Sequence, residues 1–229
     1  MSSGMRRSGA ELAVRPTLRR PAKELGPRAN DAIARILEAT RSVFLRRGYG
    51  GTTIDEIARA AGMSKASFYT YFPTKRDVLL TLGANSVQES TAVIERLGKL
   101  ARPWSDADLL LWLEEYFGLL DRHGSFFLAW TQAAYEDEEL RVAGMKGHLA
   151  VVRVLGAIVA EGDRAANEAR GLVLVSLLER AWSYCQLYAE RIDPADLRLE
   201  IAHVLKAMAD PPAHDGTTVR GRRTSRSAL

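Results

Sequence analysis

The side chains in this sequence that could carry out chemistry do not converge on one site. Gly62-Met-Ser64-Lys-Ala66 approaches the nucleophile elbow of a hydrolase, but Ala66 replaces the second glycine and no strand-like segment precedes it. Glu200-Ile-Ala-His203 has the i, i+3 form of a di-iron ligand pair; that chemistry needs two such pairs and further glutamates. Gly48-Tyr-Gly50-Gly51 lacks the spacing of a phosphate-cradling loop. His123, His148, His203 and His214 are scattered and read as structural or exposed. Cys185, the single cysteine, excludes an internal disulfide and a multi-cysteine zinc site. Its place on an apolar stripe suggests a buried, inert thiol. No catalytic residue, metal ligand or cofactor is expected, so the chain does not read as an enzyme.

A different chemistry, contact with a polyanion, is better supplied. Thr53–Phe72, TIDEIARAAGMSKASFYTYF, has the build of a helix-turn-helix. Thr53-Ile-Asp-Glu56 is a capping box opening a short helix. Ala58 is small where two helices must approach, Gly62 supplies the turn, and Ser64 caps a second helix that Pro73 stops. Ile54, Ile57, Phe68 and Phe72 form the apolar wedge that sets the angle between them. The second helix then presents Lys65, Ala66, Ser67, Tyr69, Thr70 and Tyr71, basic, hydroxylated or small side chains suited to base edges and phosphates.

Around this segment, residues 33–80 resemble the N-terminal domain of the TetR/AcrR family of bacterial transcriptional regulators. The matching features are Phe44 before Gly48-Tyr49, the Thr52-Thr53 start, Ile57-Ala58, Ala61-Gly62, the run Phe68-Tyr69-Thr70-Tyr71-Phe72, and Lys75 followed by Leu79. Ala66-Ser67 departs from the Gly-Ser or Gly-Thr that many members carry. The resemblance implies that Thr53 bonds a phosphate and that Lys65, Ala66, Ser67 and Thr70 face base edges. It further implies that Tyr69 and Tyr71 hold the backbone and that Lys75 clamps another phosphate. It implies a repressor that binds a palindromic operator of double-stranded DNA as a homodimer and is released by a small-molecule effector.

The elements that must position these residues are all helical. Amphipathic spacing predicts about nine helices and no strand: one over Ile33–Phe44 ending at Gly48, the two of the motif, and a long helix from Thr74 to about Ala101. Others follow over Ser105–His123, Phe126–Tyr135, Glu138–Val159, Arg164–Glu190 and Pro194–Met208. The expected organisation is a disordered basic tail over 1–27, a helix-turn-helix domain over 28–74, a helical effector-binding and dimerisation domain over 75–210, and a second basic tail over 211–229.

The formal charge of +4 conceals a polarity. Residues 1–28 hold seven basic and two acidic groups, and residues 29–82 hold eight and five. Residues 83–210 hold 13 basic and 20 acidic groups. A basic reader on an acidic body suits a protein that meets phosphate at one end. Arg15, Arg19, Arg20, Lys23 and Arg28 read as a solvated tail, with a minor-groove arm as the sharper alternative. The apolar runs Val154–Ala160 and Gly171–Leu178 are shorter than a bilayer requires, and the first residues lack the apolar core of a secretory signal, so a cytoplasmic protein without a membrane partner is expected.

In the body, aromatic residues suggest a cavity for a mainly hydrophobic molecule, walled by Trp112, Tyr116, Phe127, Trp130, Met145, Leu149 and Trp182. Tyr116, Gln132, His148 and Gln186 are its candidate polar groups. Leu172, Val175 and Leu178 on one helix, with Leu197, Ile201, Val204 and Leu205 on the next, form stripes expected to pack as a four-helix dimer interface. The small, polar centre of the long helix, Gly83–Thr91, reads as the place where that helix could pivot.

Overall fold

The computed structural model describes residues 26–210, and the tails, with the arm reading of all but Arg28, lie outside the described residues. Eight helices occupy the described residues: α1 (Pro27–Arg47), α2 (Ile54–Ala60), α3 (Lys65–Tyr71), α4 (Lys75–Leu97), α5 (Asp106–Glu136), α6 (Glu138–Val159), α7 (Arg164–Leu187) and α8 (Pro194–Ala209). Their starts follow from residue type. Thr53, Ser64, Thr74, Ser105, Asp137, Asp163 and Asp193 each accept a backbone N–H into the first turn of the helix they open. No strand occurs among the described residues.

Three boundaries differ from the sequence reading. The long helix α4 ends at Leu97, before Gly98, and α7 ends at Leu187. The segments Ser105–His123 and Phe126–Tyr135 are one helix, α5, which runs through Gly124 without a break. Gly124 is there for space: a Cβ on it would strike the indole of Trp182. A glycine needed for a close approach and a glycine that ends a helix look the same in sequence.

Two apolar cores result. The first joins α1, α2, α3 and the start of α4 through Ile36, Phe44, Ile57, Phe68, Phe72 and Leu79, and it extends to Phe126, Ala129 and Ala133 of α5 and Leu140 of α6. The second fills the body between α4, α5, α6, α7 and α8, around Ile94, Leu97, Leu113, Leu155, Leu174, Leu178 and Leu205. The α6–α7 crossing is close because Gly156 and Gly171 let backbone meet backbone: a Cβ on either would strike a carbonyl of the other helix, of Asn167 and Val152 respectively.

α6 is the one described helix long and apolar enough to match a membrane span by length and composition. Lys146 and Arg153 divide its sequence into shorter apolar runs. One face of it is used inside the bundle, where Leu140, Val151, Val152, Leu155 and Val159 are buried, while Met145 and Ala150 are exposed.

Replacing Gly171 with Ala should push α6 and α7 apart, because the obstacle is a backbone carbonyl that no rotamer change can clear. The expected loss is about 1–3 kcal/mol, read as a lower urea midpoint, whereas Gly118→Ala, with only the Arg122 side chain nearby, should raise that midpoint, since Ala is favoured over Gly inside a helix.

Candidate functional site

The reader is assembled on a buried wedge. Ile57, Phe68 and Phe72 are fully buried, and Ala58 lies where α2 and α3 meet. Gly62 has φ +66°, a left-handed conformation that side chains with a Cβ rarely adopt. It permits the turn in which the Gly62 and Met63 N–H groups donate to the Arg59 and Ala58 carbonyls at 3.1 and 3.0 Å. α3 therefore stands across α2 with Lys65, Ala66, Ser67 and Thr70 exposed. Tyr69 and Tyr71 are half-buried, their rings packed against the core.

Three of the expected phosphate and base contacts have internal roles in the free protein. The Thr53 hydroxyl is held in the capping box, accepting from Glu56 N at 3.3 Å and donating to Glu56 Oε2 at 2.9 Å. The Thr53 backbone N–H, donating to Glu56 Oε2 at 3.0 Å, and the Thr53 hydroxyl, with Arg47 at 3.0 Å, hold the Glu56 carboxyl below its usual range. Lys65 Nζ pairs with Asp55 at 3.0 Å, an exposed pair worth little in water. Lys75 is no free phosphate clamp. Its ammonium donates to the Tyr49 and Thr52 carbonyls at 2.6 and 2.8 Å and lies over the Tyr49 ring, so it ties the α1–α2 loop to the start of α4. Burial lowers its pKa.

The body holds a cavity of about 680 Å³ between α4, α5, α6 and α7. Tyr116, Phe127, Trp130 and Met145 line it as expected, with Phe126, Leu120, Val151 and Val175. The small centre of α4 forms another wall: Gly83, Ala84, Ser86, Val87 and Ser90. A Cβ on Gly83 would lie 3.2 Å from Trp130 and 3.3 Å from Phe126, so the weakly packed stretch of α4 is the surface on which these rings rest.

Three expected wall residues lie elsewhere. Trp112 is buried in the body core, its indole N–H donating to the Val93 carbonyl at 2.8 Å. Trp182 donates to Asp121 at 2.7 Å and packs over Gly124. Leu149 is half-buried off the wall. Of the candidate polar groups, Tyr116 and His148 face the cavity. Gln132 instead accepts from the Tyr49 N–H at 2.9 Å, joining the α1–α2 loop to α5, and Gln186 bonds Asp121 at 3.0 Å. His123 is buried beside Glu89 of α4 at 3.1 Å, and Cys185 is buried with its pKa raised by burial.

One polar wall residue escaped the sequence reading. Glu179 of α7 borders the cavity, and burial pushes its carboxyl up to about 6. Desolvation and the nearby Glu179 raise the Tyr116 hydroxyl, while burial lowers His148. The signal was present: Glu179 follows Val175 by one turn on an otherwise apolar stripe.

The expected dimer stripes divide. Val175, Leu178, Ile201 and Leu205 are buried in the chain's own core, so they cannot meet a second copy. Leu172 and Val204 face outward, Leu197 is half-buried, and the exposed apolar face also includes Val173, Tyr184, Leu187 and Tyr188. Periodicity marks an apolar face without saying which neighbour covers it.

A helix-turn-helix reader carried by a long helix on an all-helical body with an internal cavity is the class this geometry defines. Residues 36–82 match the family described as bacterial regulatory proteins, tetR family. The chain is 33% identical over 95 residues to the HTH-type transcriptional regulator EthR of Mycobacterium tuberculosis, covering 42% of this chain and 43% of that protein. It thus matches less than half the length of those curated relatives. It is 27% identical over 143 residues to the fatty acid metabolism regulator protein of Bacillus subtilis, covering 60% of this chain and 71% of that protein. Among solved structures, the fatty acid degradation regulator FadR of Bacillus halodurans shares the fold with a TM-score of 0.62 at 19% identity, over 80% of this chain and 96% of that one. Over residues 36–82, the chain's N-terminal domain is thus similar to the tetR family of bacterial regulatory proteins.

The raised Glu179 carboxyl sets a pH test. A folded-state pKa near 6 against an ordinary 4.5 means that the folded chain binds this proton more tightly, so stability falls as pH rises through that window. Above it, the ionised carboxylate costs about 2 kcal/mol. Glu179→Gln should therefore raise the urea midpoint at about pH 8 and lose most of that advantage as the pH falls to about 4.5, where the folded carboxyl is protonated and the unfolded one half so. An equal effect at both pH values would show that the carboxylate's charge is not the cause.

Proposed function

We propose that this protein is a ligand-responsive transcriptional repressor that binds a palindromic DNA operator as a homodimer and releases it when a mainly hydrophobic small molecule fills the body cavity. The observation that carries the reading is the exposed face of α3, where Ala66, Ser67 and Thr70 stand clear of the buried wedge that fixes the helix. Side chains of this size let a helix enter a major groove and reach base edges. Tyr69 and Tyr71 flank that face and serve phosphate contacts through their hydroxyls. Thr53 and Lys65 join them once DNA competes for their exposed internal partners, while Lys75 acts by holding the loop. Such a protein works in the cytoplasm, where the DNA is.

Dimerisation is supported by the outward apolar face of α7 and α8, with Leu172, Leu197 and Val204 among its residues. A two-fold pair places two recognition helices one helical turn of DNA apart, about 34–36 Å. Release is supported by the shared wall: Phe126 and Trp130 touch the cavity, the centre of α4 and the reader's core. A ligand that fits only one setting of these rings shifts α4 and the spacing of the readers by its differential affinity. The names of the two fatty-acid regulators suggest a ligand with an aliphatic chain, which the apolar lining would accept. That lining includes no lysine or arginine for a carboxylate.

Selection of binding sequences from a random double-stranded DNA pool by the full chain tests the reading. Enrichment of a two-fold symmetric site is expected, with affinity that falls steeply with salt because each neutralised phosphate adds about 0.9 to the logarithmic slope. Ala66→Glu, on an exposed position, should abolish specific binding while leaving the fold intact. Binding without sequence preference would instead indicate an architectural DNA protein.

A further inference from the structure

The cavity has an uneven charge. Its only acidic wall residue is Glu179, and neither lysine nor arginine lines it. Among the described residues the Glu179 carboxylate has no hydrogen bond or ion pair. A carboxylate kept unpaired beside apolar surface is costly and marks a place where a cation would be gained. Among the described residues His148, exposed on the α6 wall, forms no ion pair with it.

The rest of the wall suits the same partner. Tyr116, Phe126, Phe127 and Trp130 bring four aromatic rings to one space, with Phe126 5.4 Å from Phe127 and 5.5 Å from Trp130 between ring centroids. Ring faces attract cations, most strongly where water is excluded. A cavity of about 680 Å³ falls in the range that accepts drug-sized molecules. Glu179 also borders a groove on the outer side of α7 with Arg180, but Arg180 lies toward the Tyr184 ring, 5.8 Å from its centroid, and forms no ion pair with Glu179.

We propose that the ligand is a lipophilic cation, its ammonium-type head held between the Glu179 carboxylate and the aromatic rings of Tyr116 and Trp130, its apolar body against Leu120 and Val151. This rests on the reading of the cavity as the effector site and names the ligand's class. The carboxylate selects positive charge, and the rings accept an alkylated head that cannot donate a hydrogen bond.

Three probes with one aliphatic chain and different heads separate the possibilities: dodecyltrimethylammonium, 1-dodecanol and dodecanoate. Each is titrated below its micellar concentration into the full chain, with tryptophan fluorescence as the readout, because Trp130 forms part of the wall. The cation should bind about tenfold more tightly than the alcohol, and dodecanoate most weakly. Glu179→Gln should erase the preference for the cation while leaving the alcohol's affinity unchanged, which also shows that the variant is folded. Glu179→Asp should keep the preference. Equal binding of cation and alcohol, a preference for dodecanoate, or a cation preference that survives Glu179→Gln would overturn the proposal. A Glu179→Gln variant changed only in its self-association would assign the carboxylate to the outer groove and overturn it as well. If none of the three probes binds, the cavity reading itself fails, and the charge preference falls with it.

Discussion

Phe126 and Trp130 of α5 lie against the centre of α4 because Gly83 leaves room for their rings, and most of the molecule's organisation depends on that contact. The two rings belong to the reader's core on one side and line the body cavity on the other. A side chain on Gly83 would crowd both of them at 3.2–3.3 Å. Packed interiors do not deform smoothly, so in the proposed regulator rings confined between two compartments would transmit displacement from one to the other. The same region carries further ties between reader and body: Tyr49 to Gln132, Lys75 to the α1–α2 loop, and Arg76 to Asp137 at 2.9 Å. Gly144 contributes on the opposite wall, where any Cβ would collide with the Trp130 indole.

The division of labour follows from chemistry available at each end. The reader gains its shape from a few fully buried apolar side chains and spends its surface on small, hydroxylated and basic groups. The body is acidic overall, and beside its packed apolar core it leaves a space between α4, α5, α6 and α7. In the proposed regulator, positive charge near the DNA and negative charge away from it keep the sensing domain off the duplex.

What could be read from the sequence was local. Caps such as Thr53, Ser64 and Ser105 name the residue at which a helix starts, since their side chains answer the orphan N–H groups of the next turn. The helix-turn-helix was legible because Ala58, Gly62 and Phe68 each satisfy a steric demand at a fixed spacing. The body was less legible because apolar periodicity reports a buried face and not its partner. The stripe of Val175 and Leu178 suits a second copy as well as the chain's own core, which is where it packs, and an aromatic stripe suits a cavity wall as well as the places where Val93 and Asp121 hold the Trp112 and Trp182 indole nitrogens. Glu179 was missed for the converse reason: one acidic residue on a helix looks like a solvated position until its neighbours are placed around it.

The central claim is that filling the cavity changes how the reader meets DNA. A tryptophan at Val151, on the α6 wall, would occupy the space without altering any residue of α3, and the affinity of Val151→Trp for the selected operator can be measured by fluorescence anisotropy of labelled DNA. The account predicts at least about a tenfold weaker operator affinity in a variant whose helical circular dichroism and melting match the parent. Unchanged operator affinity in that folded variant would contradict it.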